Sequence, residues 1–358
     1  MKAASPVPGR PVRVLLVSPT FGAYGGMEAF ALAVADTLAH DSRFDVRVLF
    51  KCTTRFVRQP GFDHQCELFP VEFCSRASHS LWSAIRWADV VHGQNASPDV
   101  AAIAFMLHRP IVLTLHNTLP DQPLLRRLTW WLAARAATVR WYNSSFVAGT
   151  WEGRGLGRES AVVPTTSRLP TGHVDPAARR GFAFLGRLVA GKGADILIEA
   201  YRASGLDPDV WPLTMMGEGP LRAHLEDECA RRGVRGVTFA GFVAGSAKAH
   251  ALAQAKWLVA PSHWQEPFGL VAIESRSVGV PCIIAADGGL PEAGGRDALV
   301  CVPGDVDSLV RRILDAATMP DAEYRARARR TQEDLARELA PMSFYADEYL
   351  RLAKPARG

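Results

Sequence analysis

Short apolar runs alternate with segments of helical periodicity along the whole chain, and this alternation admits little besides a mostly parallel α/β architecture. In the first half, Val12–Ser18, Asp45–Phe50, Asp89–Gly93, Ile111–His116 and Thr138–Tyr142 read as strands, with Ala161–Pro164 a last one. Between the first two, Met27, Phe30, Ala31, Val34, Ala35 and Leu38 recur at helical spacing and predict a helix packed by one face on the sheet. Around Pro164–Pro176 the pattern lapses into Thr, Pro, Gly and Arg. A second series then begins at Phe182–Gly186 and continues through Leu213–Met216, Val237–Gly241, Trp257–Ala260, Pro281–Ala285 and Leu299–Val302. A long helix over Ala322–Leu339 and a helix-like tail over Met342–Leu352 follow. Two doubly wound domains are expected, residues 1–167 and 168–340.

A length of 358 residues supports two well-buried cores, and 48% hydrophobic with 22% charged residues is an ordinary globular balance. A net charge of +5 is a small excess that favours acidic partners, nucleotide phosphates or an anionic membrane face, and no nucleic-acid partner is expected. No apolar run approaches the ~20 residues that span a bilayer. Met1–Arg10 lacks the apolar stretch of a secretion signal, so a cytoplasmic location is expected. The six cysteines form no CxxC pair, and Cys282 and Cys301 lie within apolar runs. They read as buried thiols rather than disulfides or metal ligands.

Parallel sheets bind ligands beyond the carboxyl ends of their strands, which directs attention to the residues just after each apolar run. Glu266 and Glu274 bracket Pro267-Phe268-Gly269-Leu270-Val271-Ala272-Ile273, with one carboxylate ahead of a helix start and the other about two turns inside it. A loop glutamate, a glycine allowing close approach and exposed helix N–H groups suit a ligand with hydroxyls and phosphates, such as a nucleotide-sugar. The loop Gly22-Ala23-Tyr24-Gly25-Gly26-Met27-Glu28 places paired glycines at another helix start; it is not GxGxxG, and a tight strand-to-helix turn is the plain alternative. His116 ends a strand where it could face a cleft, or else be a hydrogen-bonded structural histidine. Gly186-Arg187-Leu188-Val189-Ala190-Gly191-Lys192-Gly193 satisfies GxxxxGK, but Gly193 stands where a P-loop has the Ser or Thr that holds magnesium. Arg187 and Lys192 could instead neutralise a diphosphate directly, unless they are merely solvated charges. Gly217-Glu218-Gly219-Pro220 repeats the glycine arrangement after the next strand. Of the two DxD sequences, Asp207-Pro208-Asp209 lies in a loop, and Asp305-Val306-Asp307 reads as a helix cap rather than a metal site.

Leu124, Leu125, Leu128, Trp131 and Leu132 interleave with Arg126, Arg127, Arg135 and Arg140. Such a helix could rest on an anionic membrane, but a helix covering a sheet shows the same apolar face, and that is the reading preferred from sequence.

Taken together, Gly25-Gly26-Met27-Glu28, Thr114-Leu115-His116, Gly186-Arg187 with Lys192-Gly193, Gly217-Glu218-Gly219-Pro220 and the Glu266/Glu274 run occur in the order seen in family 4 retaining glycosyltransferases. Gly288-Gly289-Leu290-Pro291-Glu292 and Val302-Pro303-Gly304-Asp305 also resemble that family, so the similarity extends over nearly the whole chain. The resemblance implies a GT-B fold, two Rossmann-like domains facing across a cleft. The first would be the acceptor side, completed by the C-terminal helix of about 341–358, and the second would bind the donor. It implies that Arg187 and Lys192 hold a donor diphosphate, Glu274 the ribose and Glu266 the transferred sugar. Backbone N–H groups of Phe268, Gly269 and Leu270 would help at the phosphates, Gly217 and Glu218 would line the donor site, Gly25 and Gly26 would lie near the diphosphate, and His116 near the reacting centre. Pro164-Thr165-Thr166-Ser167-Arg168 stands where the family has an Asn-Gly-Val-Asp-like turn, a departure that bears on hinge geometry.

The implied reaction is transfer of a sugar from a UDP- or GDP-sugar to an acceptor hydroxyl, retaining, without metal or cofactor. A surface polysaccharide or lipid-linked acceptor is expected, handled at the inner membrane face. Alternatives on the same fold are a nucleotide-sugar epimerase, a phosphorylase or a non-catalytic nucleotide-sugar-binding protein.

Overall fold

The computed structural model describes residues 10–20, 25–52, 68–76, 78–153, 155–165 and 174–353. Gly22, Ala23 and Tyr24, Cys66, and the Thr166-Ser167-Arg168 part of the junction lie outside the described residues. The chain divides into two compact units, one of residues 1–168 with 340–358 and one of residues 169–339.

The first unit has strands β1 (Val12–Thr20), β2 (Phe44–Cys52), β3 (Val71–Cys74), β4 (Val90–Gln94), β5 (Ile111–Leu115), β6 (Val139–Tyr142) and β7 (Ser160–Val162). They pair in parallel in the order β3-β2-β1-β4-β5-β6-β7. The apolar run of β1 is unbroken because both faces are covered. Leu15 and Val17 enter one cluster with the helices His79–Trp87 and Pro98–Met106, while Val14 and Leu16 enter another with Phe30 and Val34 of the helix Gly26–Ala39. That second cluster also takes Tyr345, Ala346 and Tyr349, so the last helix, Met342–Ala353, packs on the first unit.

The second unit has β8 (Arg180–Leu185), β9 (Leu213–Met216), β10 (Val237–Gly241), β11 (Ala255–Ala260), β12 (Cys282–Ala285) and β13 (Leu299–Cys301). Their order is β10-β9-β8-β11-β12-β13, again parallel throughout. Every strand read from sequence is present with ends shifted by two residues at most, and β3 is an addition. The thiols of Cys74, Cys229, Cys282 and Cys301 are buried and Cys52 is half-buried, all free.

One packing expectation is overturned. The helix Leu124–Arg135 does not lay its leucines on the sheet: it buries Ala133 and Ala134, with Trp130 partly packed, and leaves Leu124, Leu125, Leu128 and Leu132 exposed. The small residues are what permit its close seat on the unit, and the leucines lie on the other side.

Candidate active site

In both sheets the winding direction reverses between two neighbouring strands, and the loops beyond that point part to leave room for a ligand. In the second unit the reversal lies between β8 and β11. Lys192 belongs to the loop after β8 and Glu266 to the loop after β11, and there they meet, Lys192 Nζ donating to Glu266 Oε1. Ser262 Oγ donates to the same oxygen at 2.8 Å, and the ammonium lies 5.1 Å from the centroid of the Trp264 ring. The Lys192 side chain keeps 21% of its surface exposed, so part of its donor capacity still faces solvent.

Backbone contacts hold these loops in place. Leu188 N–H donates to Glu218 O at 2.9 Å, Leu221 N–H to Leu188 O at 3.0 Å and His263 N–H to Gly191 O at 3.0 Å. Gly217 is required here because a Cβ would fall 1.8 Å from Gly186 O. Arg187 is exposed on this loop. The Glu218 side chain is turned to Arg222 of the following helix, so the Gly217-Glu218 pair meets the neighbouring loop through its backbone.

Gly289 N–H donates to Glu266 O at 2.7 Å and pins the start of the Glu266 loop. The next helix begins only at Leu270, after Gly269 at φ +103°, so Glu274 sits about one turn inside it instead of the two expected. Phe268 is buried in the core of this unit. Glu274 is buried, and Lys248 Nζ of the helix Gly245–Gln254 donates to its Oε1 at 2.7 Å. Both members of the glutamate pair are therefore engaged by a lysine from another element.

At the strand ends of the first unit Lys51 Nζ of β2 donates to Asp99 Oδ1 in the helix Pro98–Met106 at 2.6 Å, and the groups around His116 are neutral. The reversal lies between β1 and β4, and Gly25, exposed with Gly26, caps the helix Gly26–Ala39 by donating its N–H to Glu28 Oε2 at 3.2 Å. Burial pushes the Glu28 carboxyl up. His116 follows β5, and its Nε2 is hydrogen-bonded to the Gln94 side-chain amide, 2.8 Å from Oε1. Its backbone N–H donates to Asn95 Oδ1 at 2.8 Å, and Asn143 Nδ2 donates to its carbonyl at 3.1 Å. Burial lowers the imidazole to about 3, which keeps it neutral. Beneath it His92, lowered to about 3 by burial and then by His116, lies 2.8 Å from Thr114 Oγ1 and 2.6 Å from the hydroxyl of Tyr349 in the last helix. His116 is thus a buried, hydrogen-bonded ring at a strand end.

Asp305 caps the helix Val306–Ala317 by accepting from Ser308 N–H at 2.9 Å, and Asp207 accepts from Asp209 N–H at 3.0 Å. Among the described residues no group of three or more His, Cys, Asp or Glu side chains is placed to hold a metal ion.

The two sheets with this arrangement define a GT-B protein. The crystal structure of Anabaena HepE in complex with UDP and glucose superposes with a TM-score of 0.76 at 19% identity, covering 95% of this chain and 99% of that one. Two family models match in succession, Glycosyltransferase Family 4 over residues 24–165 and Glycosyl transferases group 1 over residues 173–334. The chain belongs to this glycosyltransferase family. The D-rhamnosyltransferase WbpZ of Pseudomonas aeruginosa is 29% identical over 214 residues, 55% of each chain. An uncharacterized glycosyltransferase of Methanocaldococcus jannaschii is 40% identical over 110 residues, 30% of this chain and 28% of that one. The chain spans about half the length of the curated relatives it matches, or less.

Ser262, Trp264 and Lys248 in the second unit, and Gln94, Asn95 and Asn143 in the first, escaped sequence reasoning. Trp264 carried a faint signal as an aromatic just ahead of Glu266 in a strand-end loop. Asn95 carried another, an Asn after an apolar run, where it adopts φ 64°.

Proposed function

We propose that the protein is a retaining glycosyltransferase that moves a sugar from a UDP- or GDP-sugar to an acceptor hydroxyl without an essential metal. The observation that carries this reading is the Lys192–Glu266 pair, set at the reversal point of the second sheet and beside the start of the helix Leu270–Ser277. A cation, a helix N-terminus and a carboxylate converge there, which suits a diphosphate joined to a hydroxyl-rich sugar. Arg187 and Lys192 stabilise the charge that develops on the departing diphosphate, and the N–H groups of Phe268, Gly269 and Leu270 add to it. Glu266 accepts from the transferred sugar and Glu274, steadied by Lys248, from the ribose. The departing phosphate takes the acceptor proton, so no protein nucleophile is needed.

In the first unit Gly25, Gly26 and His116 serve the same reaction, with the neutral His116 ring near the reacting sugar. The acceptor is a surface polysaccharide intermediate or a glycolipid. UDP and glucose in the HepE structure and the D-rhamnosyl transfer named for WbpZ support a nucleotide-sugar donor. The test is a screen of the purified protein against UDP- and GDP-sugars with carbohydrate and lipid-linked acceptors, reading nucleoside diphosphate release. The chosen donor is then run at saturation with Lys192→Ala and Arg187→Ala. The reading predicts turnover that both variants impair, and wild-type rates in both would remove the diphosphate assignment.

A further inference from the structure

Of the nine tryptophans in the chain, Trp264 is the most exposed, with 43% of its surface in solvent. It lies in the loop after β11, just ahead of Glu266, and its neighbours hold it there. His263 N–H donates to Gly191 O at 3.0 Å and ties this loop to the one after β8. Gly191, at φ +89°, lies so close to the indole that a Cβ would fall 3.3 Å from the ring atoms Cδ2 and Cε3. The Lys192 ammonium stands 5.1 Å from the ring centroid. An indole that serves a core is buried in it, whereas this one is fixed at a strand-end loop with much of its surface open to a partner.

The carboxylate beside it is also placed for a partner. Lys192 and Ser262 both donate to Oε1 of Glu266, and among the described residues no donor is placed on Oε2. An aromatic face next to a carboxylate oxygen matches the two surfaces of a pyranose. The axial C–H groups of such a ring form a flat apolar face whose weakly positive hydrogens meet the negative π cloud of an indole, and its equatorial hydroxyls donate to the carboxylate at the edge. The same pairing disfavours a sugar acid, whose carboxylate would meet both the Glu266 charge and the negative face of the indole. The cations of the loop after β8, Arg187 and Lys192, are taken by the diphosphate in the reading above.

We infer that Trp264 is a specificity-determining residue, a platform for the apolar face of the transferred sugar, and that this sugar is a neutral pyranose rather than a uronic acid. The inference rests on the donor assignment proposed above and adds to it the class of sugar that follows the diphosphate. The closeness of the indole to Lys192 supports the placement, because a sugar joined to a phosphate held at Lys192 starts within reach of the ring. Discrimination then has an attractive part, stacking on Trp264, and a repulsive part, the negative charge of Glu266 against a uronate.

The experiment is calorimetric titration of the full chain with UDP, UDP-glucose and UDP-glucuronate, and with GDP, GDP-mannose and GDP-mannuronate, repeated on Trp264→Ala and Trp264→Phe. For the base that binds, the neutral sugar nucleotide is expected to bind about tenfold or more tighter than its uronate. Trp264→Ala is expected to weaken the neutral sugar nucleotide about five- to tenfold and the free diphosphate less than about twofold, with Trp264→Phe between wild type and Trp264→Ala. The retained diphosphate affinity doubles as proof that the variants are folded. Equal weakening of diphosphate and sugar nucleotide by Trp264→Ala would mean that the indole serves Lys192 alone, and it overturns the platform. A uronate bound as tightly as the neutral sugar overturns the substrate class. Failure of the wild type to bind either diphosphate defeats the donor assignment and this inference with it, whereas normal diphosphate binding with no effect of Trp264→Ala on the sugar nucleotide removes the platform alone.

Discussion

The carboxyl edges of the two sheets share a topology and differ in how they are held. In the second unit the strand-end loops lock through backbone, Gly217 against Gly186 and Leu188 against Glu218, while lysines reach across to carboxylates. In the first unit a buried Lys51–Asp99 pair joins the end of β2 to the helix after β4, while neutral side chains hold the strand ends around His116: Asn95 and Asn143 to its backbone, Gln94 to its ring, Tyr349 to His92. The comparison teaches that a doubly wound sheet fixes where a site can be, while the residues after each strand fix whether it is ionic or neutral. The partly solvated Lys192–Glu266 pair suits a charged ligand, and the buried neutral donors and acceptors around His116 suit uncharged hydroxyls.

Four measurements would break or sharpen this contrast. The largest effect is expected from Lys192→Ala and Glu266→Gln, which should lower kcat by about 10²–10³-fold, the scale for losing one preorganised electrostatic group. Their melting temperatures should stay near wild type, since the pair is partly solvated; a collapse in stability would make it structural. Gly217→Ala should come next, costing about 1–3 kcal/mol in chemical denaturation because its Cβ would meet Gly186 O. A neutral outcome would show that the loops are not locked by that contact.

Acid should then weaken the first unit selectively. His92 and His116 are each lowered to about 3, from an ordinary value of about 6.5. The unfolded chain takes up protons below the ordinary value and the folded one does not. The stability is whole above that value, and each histidine loses about 1.4 kcal/mol per pH unit as the pH falls from there towards 3. Thermal unfolding of wild type and His92→Phe at pH 7 and pH 5 checks this; equal losses on acidification in both would contradict it. Lys248→Met should have the smallest effect, raising KM for the donor roughly three- to tenfold with little change in kcat, as expected for a residue that positions a binding carboxylate. Partial rescue by Lys248→Arg would separate positioning from packing.

Much of this was legible in the sequence and some of it could not be. The strands after which Lys192, Glu266 and His116 stand announce themselves as apolar runs. β3 did not, because a four-residue edge strand offers too short a run to register against its polar surroundings. Lys248 was invisible for a different reason: it lies 26 residues from Glu274 in a separate helix, and only tertiary packing joins them. The helix Leu124–Arg135 shows a third limit. Periodicity tells which residues share a face, but the direction in which that face points is decided by Ala133, Ala134 and Trp130 at its seated end. The same ambiguity held for His116, whose partners Gln94, Asn95 and Asn143 come from two other strand ends.

The central claim is that the strand-end loops of the second unit hold a nucleoside diphosphate by Lys192 and Arg187. Calorimetric titration of the intact protein with UDP and GDP, repeated on Lys192→Ala and Arg187→Ala, tests it most directly. One diphosphate is predicted to bind the wild type, with each variant weaker by about tenfold or more. Binding of equal strength in all three proteins, or binding of neither nucleotide to the wild type, would contradict the claim.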